Sequence, residues 1–207
     1  MRKTYFLLPI LILGACTKTS AEPIFNPDGL EKAVFAGGCF WSTQKAFDHV
    51  AGVVRTRAGF MGGNVENPSY DDVSSQTTGH KEAVEVFYDP KKVSFNQLLD
   101  TYWHSTDPTN EHGVICDFGP EYRTAIFTYS DEQLKQANKS KEETQKQLSK
   151  PIVTEIVASS SVKLPFFSAE EYHQHYWKTN SFAYNSYRVG CGRDNALKKI
   201  WGDKAPH

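Results

Sequence analysis

The chain has 207 residues, of which 39% are hydrophobic and 13% aromatic, and its formal net charge is -1. A chain of this length and composition predicts one globular domain with a full hydrophobic core. The charge lacks the basic excess that binding to nucleic acid requires. Four cysteines without a CxxC pair are too few for a disulfide scaffold and do not favour a structural zinc site.

The first 15 residues are predicted to be a lipoprotein signal peptide that is not part of the fold. Arg2 and Lys3 form a positively charged start, and the apolar run that follows is too short to span a membrane in the mature protein. The run ends in residues 13–16 (LGAC), which resemble a bacterial lipobox. We therefore expect Cys16 to be lipidated; a plain secretory signal is the alternative.

Residues 16–30 are polar and contain two prolines, which predicts a tether between the lipid and a domain at residues 31–207. Aspartate does not follow Cys16, as in lipoproteins that are sorted to the outer membrane. We expect the domain to be lipid-anchored in the bacterial cell envelope, at the outer membrane and facing the periplasm.

The elements predicted after the tether alternate between strands and helices. Strands are indicated at 32–36, 53–60, 82–88 and 123–129, with helices after residue 39 and at 94–104. Without the loops, the order is β-α-β-β-α-β, which is the split βαβ, or ferredoxin-like, arrangement of an α+β domain. The fold class is therefore predicted to be α/β.

The remaining segments extend this core. We expect a helix from 130 to about 149, a strand at 151–158, a helix that begins at 168, and an irregular C-terminal tail at 180–192. Two polar loops, 64–79 and 106–121, are unusually long for a compact domain, and we expect them to be functional.

Residues 37–41 (GGCFW) join the first strand to the first helix and contain a candidate nucleophile, Cys39. Two glycines permit a tight turn, and the first turn of a helix favours an anion through its free N–H groups. A thiolate is such an anion, and its pKa falls from about 8.5 toward about 3.5–7.5 in such places. The alternative is an inert buried cysteine. Phe40 and Trp41 are expected to wall a small apolar pocket.

Glu82 is a candidate acid at the end of the strand predicted at 82–88. Alternation along the strand places it in a partly apolar row. If that end lies under the Cys39 turn, desolvation raises the pKa of Glu82 and keeps it protonated near neutrality. From this segment alone, a solvated glutamate at the end of a strand is the better interpretation.

Phenol hydroxyls can hold a polar substrate oxygen without bringing charge, and the two long loops contain Tyr70 and Tyr122, with Asp117 near the second. Taken singly, each of these residues is better explained as a surface or half-buried side chain. Seven histidines are scattered along the chain. His173 and His175 fall on different faces of a helix, so no metal site is expected.

Four segments together resemble the peptide methionine sulfoxide reductases of class A, with a match from about residue 33 to 178. These segments are 37–41 (GGCFW), 78–84 (TGHKEAV), 122–126 (YRTAI) and 172–174 (YHQ). Ser42 stands where the family usually has glycine, a mild departure. The resemblance implies a two-layer α/β fold with the same split βαβ core. It also implies reduction of methionine S-sulfoxide in proteins and peptides, a repair reaction under oxidative stress.

The resemblance implies a role for each matched residue. The matched residues are Cys39 as nucleophile, Glu82 as proton donor, Tyr70 and Tyr122 as holders of the sulfoxide oxygen with Asp117 beside them, and Phe40 and Trp41 as the pocket for the S-methyl group. A thiolate attacks the sulfur while the acid protonates the oxygen, which leaves methionine and a sulfenic acid on the cysteine.

The resemblance further implies that a second cysteine clears the sulfenic acid as an intramolecular disulfide. Cys191 is the favoured partner of Cys39 and Cys116 is the alternative. No cysteine follows Cys191, so a two-step relay through the tail is not expected. The implied reductant is an external thioredoxin-like dithiol, with no bound cofactor and a monomeric enzyme. A thiol peroxidase or disulfide reductase, and a lipoprotein that binds methyl-bearing ligands, are the alternative functions.

Overall fold

A computed structural model describes residues 29–206, in which strands and helices alternate along the chain. The strands are β1 (Glu31–Ala36), β2 (Val53–Met61), β3 (Lys81–Tyr88), β4 (Gly113–Val114), β5 (Asp117–Phe118), β6 (Ala125–Thr128), β7 (Glu155–Ala158) and β8 (Phe167–Ser168). The α-helices are α1 (Phe40–Asp48), α2 (Tyr70–Ser74), α3 (Phe95–His104), α4 (Asp131–Gln145), α5 (Tyr176–Thr179), α6 (Ser181–Gly190) and α7 (Arg193–Trp201). The predicted signal peptide, Cys16 and most of the predicted tether lie outside the described residues.

The central sheet has six strands in the order β7-β6-β1-β3-β2-β8. β1 pairs antiparallel with both β3 and β6, and β2 pairs antiparallel with β3. Strands β6, β1, β3 and β2, connected through α1 and α3, form the split βαβ core that the sequence predicts. At one edge β7 pairs parallel with β6 after the crossover through α4, and β8 pairs antiparallel with β2 at the other.

Both faces of the sheet are covered, because alternate residues of β1 pack into different clusters. Phe35 faces the helical layer and stacks on Phe47 of α1, with 4.5 Å between ring centroids. Val34 faces the opposite side, where it packs with Phe127 of β6 in a smaller cluster that Phe166 helps to cover. Each fully buried phenylalanine contributes about 1.5–3 kcal/mol of hydrophobic stabilisation.

The start of α3 is fixed by the predicted capping box. Ser94 Oγ accepts from the Gln97 N–H, and the Gln97 side chain accepts from the Ser94 N–H. The loop predicted at 64–79 contains α2, and the loop at 106–121 contains the β4–β5 hairpin. None of the helices between residues 29 and 206 combines the length and the apolar character that crossing a membrane requires.

The C-terminal region differs from the prediction in two places. The helix expected from residue 168 is replaced by a 3₁₀ turn at Glu171–His173 and by α5. The break falls at His175, which has a φ of +49° and whose N–H and Nδ1 bond to Gln44 and Asp48 on α1. The prediction of an irregular tail at 180–192 is also wrong, because residues 181–190 form α6.

Helix α6 buries two residues one turn apart, Tyr184 and Arg188, and Gly192 in the left-handed conformation connects it to α7. Helix α7 buries Leu197 and Trp201 against the helical layer. The segment from α5 to α7, called the C-terminal arm below, therefore packs onto the domain as folded structure.

Candidate active site

Cys39 lies at the N-cap of α1, immediately after β1, and is 6% exposed. Its carbonyl accepts from the Ser42 and Thr43 N–H groups, which begins the helix. Gly38 has a φ of +85°, and a Cβ at this position would lie 2.6 Å from the Val114 side chain. The turn therefore requires glycine, and the predicted strand-to-helix turn is confirmed.

The expectation that the helix N-terminus lowers the pKa of Cys39 is wrong. Burial, and to a lesser extent the charges of Glu82 and Asp117, raise the pKa of this thiol to about 12. The backbone donors that could stabilise a thiolate are taken by these two carboxyl groups. The Phe40 N–H donates to Glu82 Oε2 at 2.9 Å, and the Cys39 N–H bonds to Asp117. Cys39 is therefore a neutral thiol at neutral pH.

Glu82 lies on β3 and is 2% exposed, so the solvated interpretation of this residue is wrong. Burial raises its pKa to about 8, although the hydrogen bond from the Phe40 N–H favours the ionised form. The nearby charges of Asp117 and Glu121 also contribute to this increase in the pKa. The prediction that this carboxyl stays protonated near neutrality is confirmed.

Tyr70 and Tyr122 approach each other from the two long loops. Tyr70 begins α2, and Tyr122 ends the 3₁₀ turn at Pro120–Tyr122. Their hydroxyls share a hydrogen bond. Burial raises the pKa of both phenols, and the charge of Glu82 raises them further. Two neutral hydroxyls and a protonated carboxyl thus lie close to one thiol.

Phe40 and Trp41 form an apolar wall beside this group. Phe40 is 1% exposed, and its ring centroid lies 6.2 Å from that of Tyr70 and 5.0 Å from that of His173. Trp41 stacks on Tyr176 at 4.0 Å, and its Nε1 donates to His173 Nδ1 at 3.1 Å. Sequence reasoning considered His173 only as a metal ligand and missed its place in this wall. The YHQ segment was the signal that could have indicated it.

Asp117, near the same thiol, contacts two residues of the C-terminal arm. The Tyr187 hydroxyl lies 2.9 Å from Asp117 Oδ1 and 2.8 Å from Oδ2. Arg193 is 1% exposed, and its Nη1 lies 3.7 Å from Asp117 Oδ2. Its Nη2 donates to the Gly37 carbonyl at 3.3 Å. Tyr187 was missed because residues 180–192 were predicted to be an irregular tail, and Arg193, just after that tail, was given no role.

The other two cysteines of the described residues are bonded to each other. A disulfide links Cys116, in the turn of the β4–β5 hairpin, to Cys191 at the C-cap of α6, with 5.5 Å between their Cα atoms. Cys39 is free. Sequence reasoning set Cys116 and Cys191 as competitors for Cys39, whereas the structure pairs them. Both sulfurs lie within 4.8 Å of a carboxylate oxygen of Asp117, but bonded sulfurs are not thiolate ligands for a metal.

The family model of peptide methionine sulfoxide reductase matches residues 31–205. The chain belongs to this family. It is 45% identical over 177 residues to the peptide methionine sulfoxide reductase MsrA of Bacillus pumilus, which covers 84% of this chain and 97% of that protein.

Solved structures agree with this membership. Methionine sulfoxide reductase A of Corynebacterium diphtheriae superposes with a TM-score of 0.71 at 33% identity, over 74% of this chain and 76% of that one. Mxr1 of Saccharomyces cerevisiae in complex with Trx2 superposes with a TM-score of 0.52 at 26% identity, over 75% of this chain and 91% of that one. The mixed α/β fold with its mostly antiparallel sheet is the fold of the family.

In this peptide methionine sulfoxide reductase the structure gathers most of the predicted site residues around one thiol. The residues that meet there are Cys39, Glu82, Tyr70, Tyr122, Asp117, Phe40 and Trp41. The structure does not place Cys191 in a bond with Cys39. Cys16 lies outside the described residues.

Proposed function

We propose that the protein reduces the S epimer of methionine sulfoxide in proteins and peptides to methionine, with Cys39 as nucleophile and Glu82 as acid. One observation carries the proposal. A buried thiol and a buried carboxyl that is protonated at neutral pH both adjoin the N-terminus of α1, where the carboxyl accepts from the Phe40 N–H. Two phenol hydroxyls and an apolar wall complete a site for a polar oxygen beside a methyl group.

The reaction follows from the two protons that the resting site holds. The S-methyl group of the substrate packs against Phe40 and Trp41, and the sulfoxide oxygen lies among Glu82, Tyr70 and Tyr122. Glu82 donates its proton to the oxygen, which makes the oxygen a leaving group, and Cys39 attacks the sulfur. The attack forms a bond between the Cys39 sulfur and the substrate sulfur as the sulfur–oxygen bond breaks. The released hydroxide then attacks the Cys39 sulfur, which breaks the sulfur–sulfur bond, releases methionine and leaves Cys39 as a sulfenic acid. The thiol proton restores the Glu82 carboxyl, so atoms, electrons and protons balance.

The high pKa of Cys39 argues against the thiol peroxidase alternative. A peroxidase needs a thiolate in its resting state, because the thiolate is the form that peroxide oxidises. Burial and the neighbouring charge of Asp117 keep Cys39 protonated at neutral pH. A neutral thiol that becomes nucleophilic only beside a bound sulfoxide suits a reductase that works under oxidising conditions.

The disulfide between Cys116 and Cys191 supports a relay that clears the sulfenic acid. Cys191 condenses with the oxidised Cys39 and water leaves, which forms a first disulfide. Cys116 then attacks the sulfur of Cys191, which forms the observed disulfide and returns Cys39 to the thiol. The expectation of no relay considered only tail cysteines; here the second cysteine belongs to the β4–β5 hairpin.

A thioredoxin-like dithiol is the proposed external reductant. Cys116 is the exposed member of the disulfide, so an incoming thiolate reaches its sulfur from solvent. The complex of yeast Mxr1 with Trx2 supports a donor of this class. Attack on Cys116 would leave the donor bonded there and release Cys191 toward the site.

We also propose that Cys16 is lipidated and that the domain works in the periplasm, anchored to the outer membrane as a monomer. Residues 13–16 (LGAC) and the charged start of the chain support this proposal. Expression with radiolabelled palmitate tests it: label should enter the unmutated chain and be absent from Cys16→Ser. Label in both proteins, or in neither, would contradict the anchor.

Counting product without any donor tests the reaction and the relay together. Fully reduced protein should form two methionines per chain, one before and one after the disulfide between Cys116 and Cys191 closes. Protein isolated with that disulfide should form one. Cys39→Ser should form none, and Cys116→Ser should form one and keep a disulfide between Cys39 and Cys191. Each sample is run with both epimers of a methionine sulfoxide peptide.

One outcome would remove the reductase proposal, namely no methionine from either epimer with reduced, unmutated protein. Two methionines from Cys116→Ser would retain the reductase and remove the relay. Product from the R epimer alone would reverse the proposed stereochemistry.

A further inference from the structure

The C-terminal arm contributes a hydrogen-bond donor to the thiol. Tyr187 lies on α6, one helical turn before Cys191, and its ring meets Trp41 edge-on with 6.0 Å between centroids. Its hydroxyl lies within hydrogen-bond distance of both Asp117 oxygens and also bonds to Cys39. The proposed reaction assigns no task to this hydroxyl.

A phenol has one hydrogen, so Tyr187 can donate to one strong acceptor at a time. While Cys39 is a neutral thiol, the carboxylate of Asp117 is the stronger acceptor. When Cys39 loses its proton, the sulfur becomes an anion in a buried place, where an unpaired charge is costly. The hydroxyl already lies beside both acceptors and needs only a rotation of its O–H bond to change partner.

Asp117 keeps other partners when this hydrogen turns away. The Cys39 N–H bonds to it, and Arg193 lies 3.7 Å away with an Nη1 that forms no hydrogen bond within the part of the chain described. The Arg193 side chain is buried and is fixed by Nη2 on the carbonyls of Gly37 and Ser105. The guanidinium therefore offers a free N–H that a small shift brings to the carboxylate.

We propose that Tyr187 stabilises the Cys39 thiolate as it forms, by transferring its single hydrogen bond from Asp117 to the sulfur. The proposal rests on the proposed function, in which Cys39 is the attacking group. It makes the arm part of the site during the attack, before Cys191 acts as a resolving cysteine.

The test measures how readily Cys39 forms a thiolate when no sulfoxide is present. Iodoacetamide alkylates only the thiolate, and mass spectrometry of the Cys39 peptide reports the rate at this residue in the full chain, with the disulfide between Cys116 and Cys191 intact. The titratable or charged groups that face this thiol are Glu82, Asp117, Tyr70, Tyr122, Tyr187 and Arg193. The rate is measured across pH for each variant.

Tyr187→Phe retains the ring against Trp41 and removes the hydroxyl alone. A hydrogen bond to a charged group is worth about 1.5–3 kcal/mol, so alkylation of Cys39 should slow at least about tenfold at each pH. With sulfoxide peptide, kcat should fall by a similar factor at unchanged KM. The matched control is Tyr184→Phe, whose hydroxyl on the same helix bonds to Ser42 and Arg188 instead. It should leave the pH profile unchanged.

Asp117→Asn gives a second test, in which a weaker acceptor competes for the hydroxyl hydrogen of Tyr187. Removal of the carboxylate charge should speed alkylation, because that charge raises the pKa of the thiol. Adding Tyr187→Phe to Asp117→Asn should then slow it again. Equal rates with and without the hydroxyl, or an equal slowing in Tyr184→Phe, would overturn the proposal. These outcomes are independent of whether the protein reduces sulfoxides.

Discussion

The protonated state of Glu82 makes a definite prediction about how activity depends on pH. With a pKa of about 8, this carboxyl is about 90% protonated at pH 7. The proposed reaction uses both protons of the resting site. We therefore expect kcat/KM to be constant below pH 8 and to fall about tenfold per unit above it, as Glu82 ionises.

Glu82→Gln is the sharpest perturbation of this site. The amide preserves the size of the side chain and still offers an oxygen to the Phe40 N–H, but it cannot protonate the substrate. General acid catalysis contributes about 10²–10⁴-fold, so we expect kcat/KM to fall at least about a hundredfold and its dependence on pH near 8 to disappear. Glu121→Gln is the control, since it removes a neighbouring charge and should move the inflection to lower pH without loss of the plateau.

The assay is a single turnover of pre-reduced protein, quenched at intervals from about pH 6 to pH 10, because a dithiol donor would bring its own ionisation. Two results would refute the reasoning. A rate that rises tenfold per unit up to pH 8 would mean that the thiolate forms before substrate binds. Full activity in Glu82→Gln would mean that another group supplies the proton.

Three further predictions follow from the same contacts. Gly38→Ala should lower stability by about 1–3 kcal/mol in thermal melts, because the turn has positive φ and no room for Cβ, while Gly190→Ala, with open space around it, should not. Trp41→Phe should raise KM several-fold with little change in kcat, because it removes the hydrogen bond to His173 and part of the wall. The pKa of Glu82 in the folded protein is above its ordinary value, so the contribution of this residue to stability is complete below about pH 4.5 and is lost as the pH rises through about 8. In urea unfolding, the free energy of unfolding of the unmutated protein should therefore fall by up to about 5 kcal/mol over this range. The same decrease should be absent from Glu82→Gln.

The split βαβ core could be predicted because each of its elements has a strong local signal. The capping box at Ser94 begins α3, and alternation defines the strands that pair on both sides of β1. The C-terminal arm could not be predicted in the same way. Its helices are short, and Gly190 and Gly192 suggest a loop. Helix α6 is stabilised by tertiary packing of its buried residues, which the local sequence does not show.

The pKa of Cys39 shows why local reasoning fails at a site. The turn does present free N–H groups, as the sequence indicated, but long-range contacts decide which side chain accepts from them. Glu82 reaches the Phe40 N–H from 42 residues away in the sequence, and Asp117 takes the N–H of Cys39 itself. The pairing of Cys116 with Cys191 has the same origin, because a hairpin and a helix bring the two sulfurs together only in the folded chain.

The disulfide also orders the steps of the proposed cycle. Cys191 cannot attack Cys39 while it is bonded to Cys116, so the structure is the state that remains when the relay is complete and before the donor acts. In this state Cys39 is a thiol and Tyr187 is in place beside it. The protein is therefore competent for one more attack on a sulfoxide without a reductant. Only the removal of the resulting sulfenic acid must wait until the donor opens the disulfide at exposed Cys116.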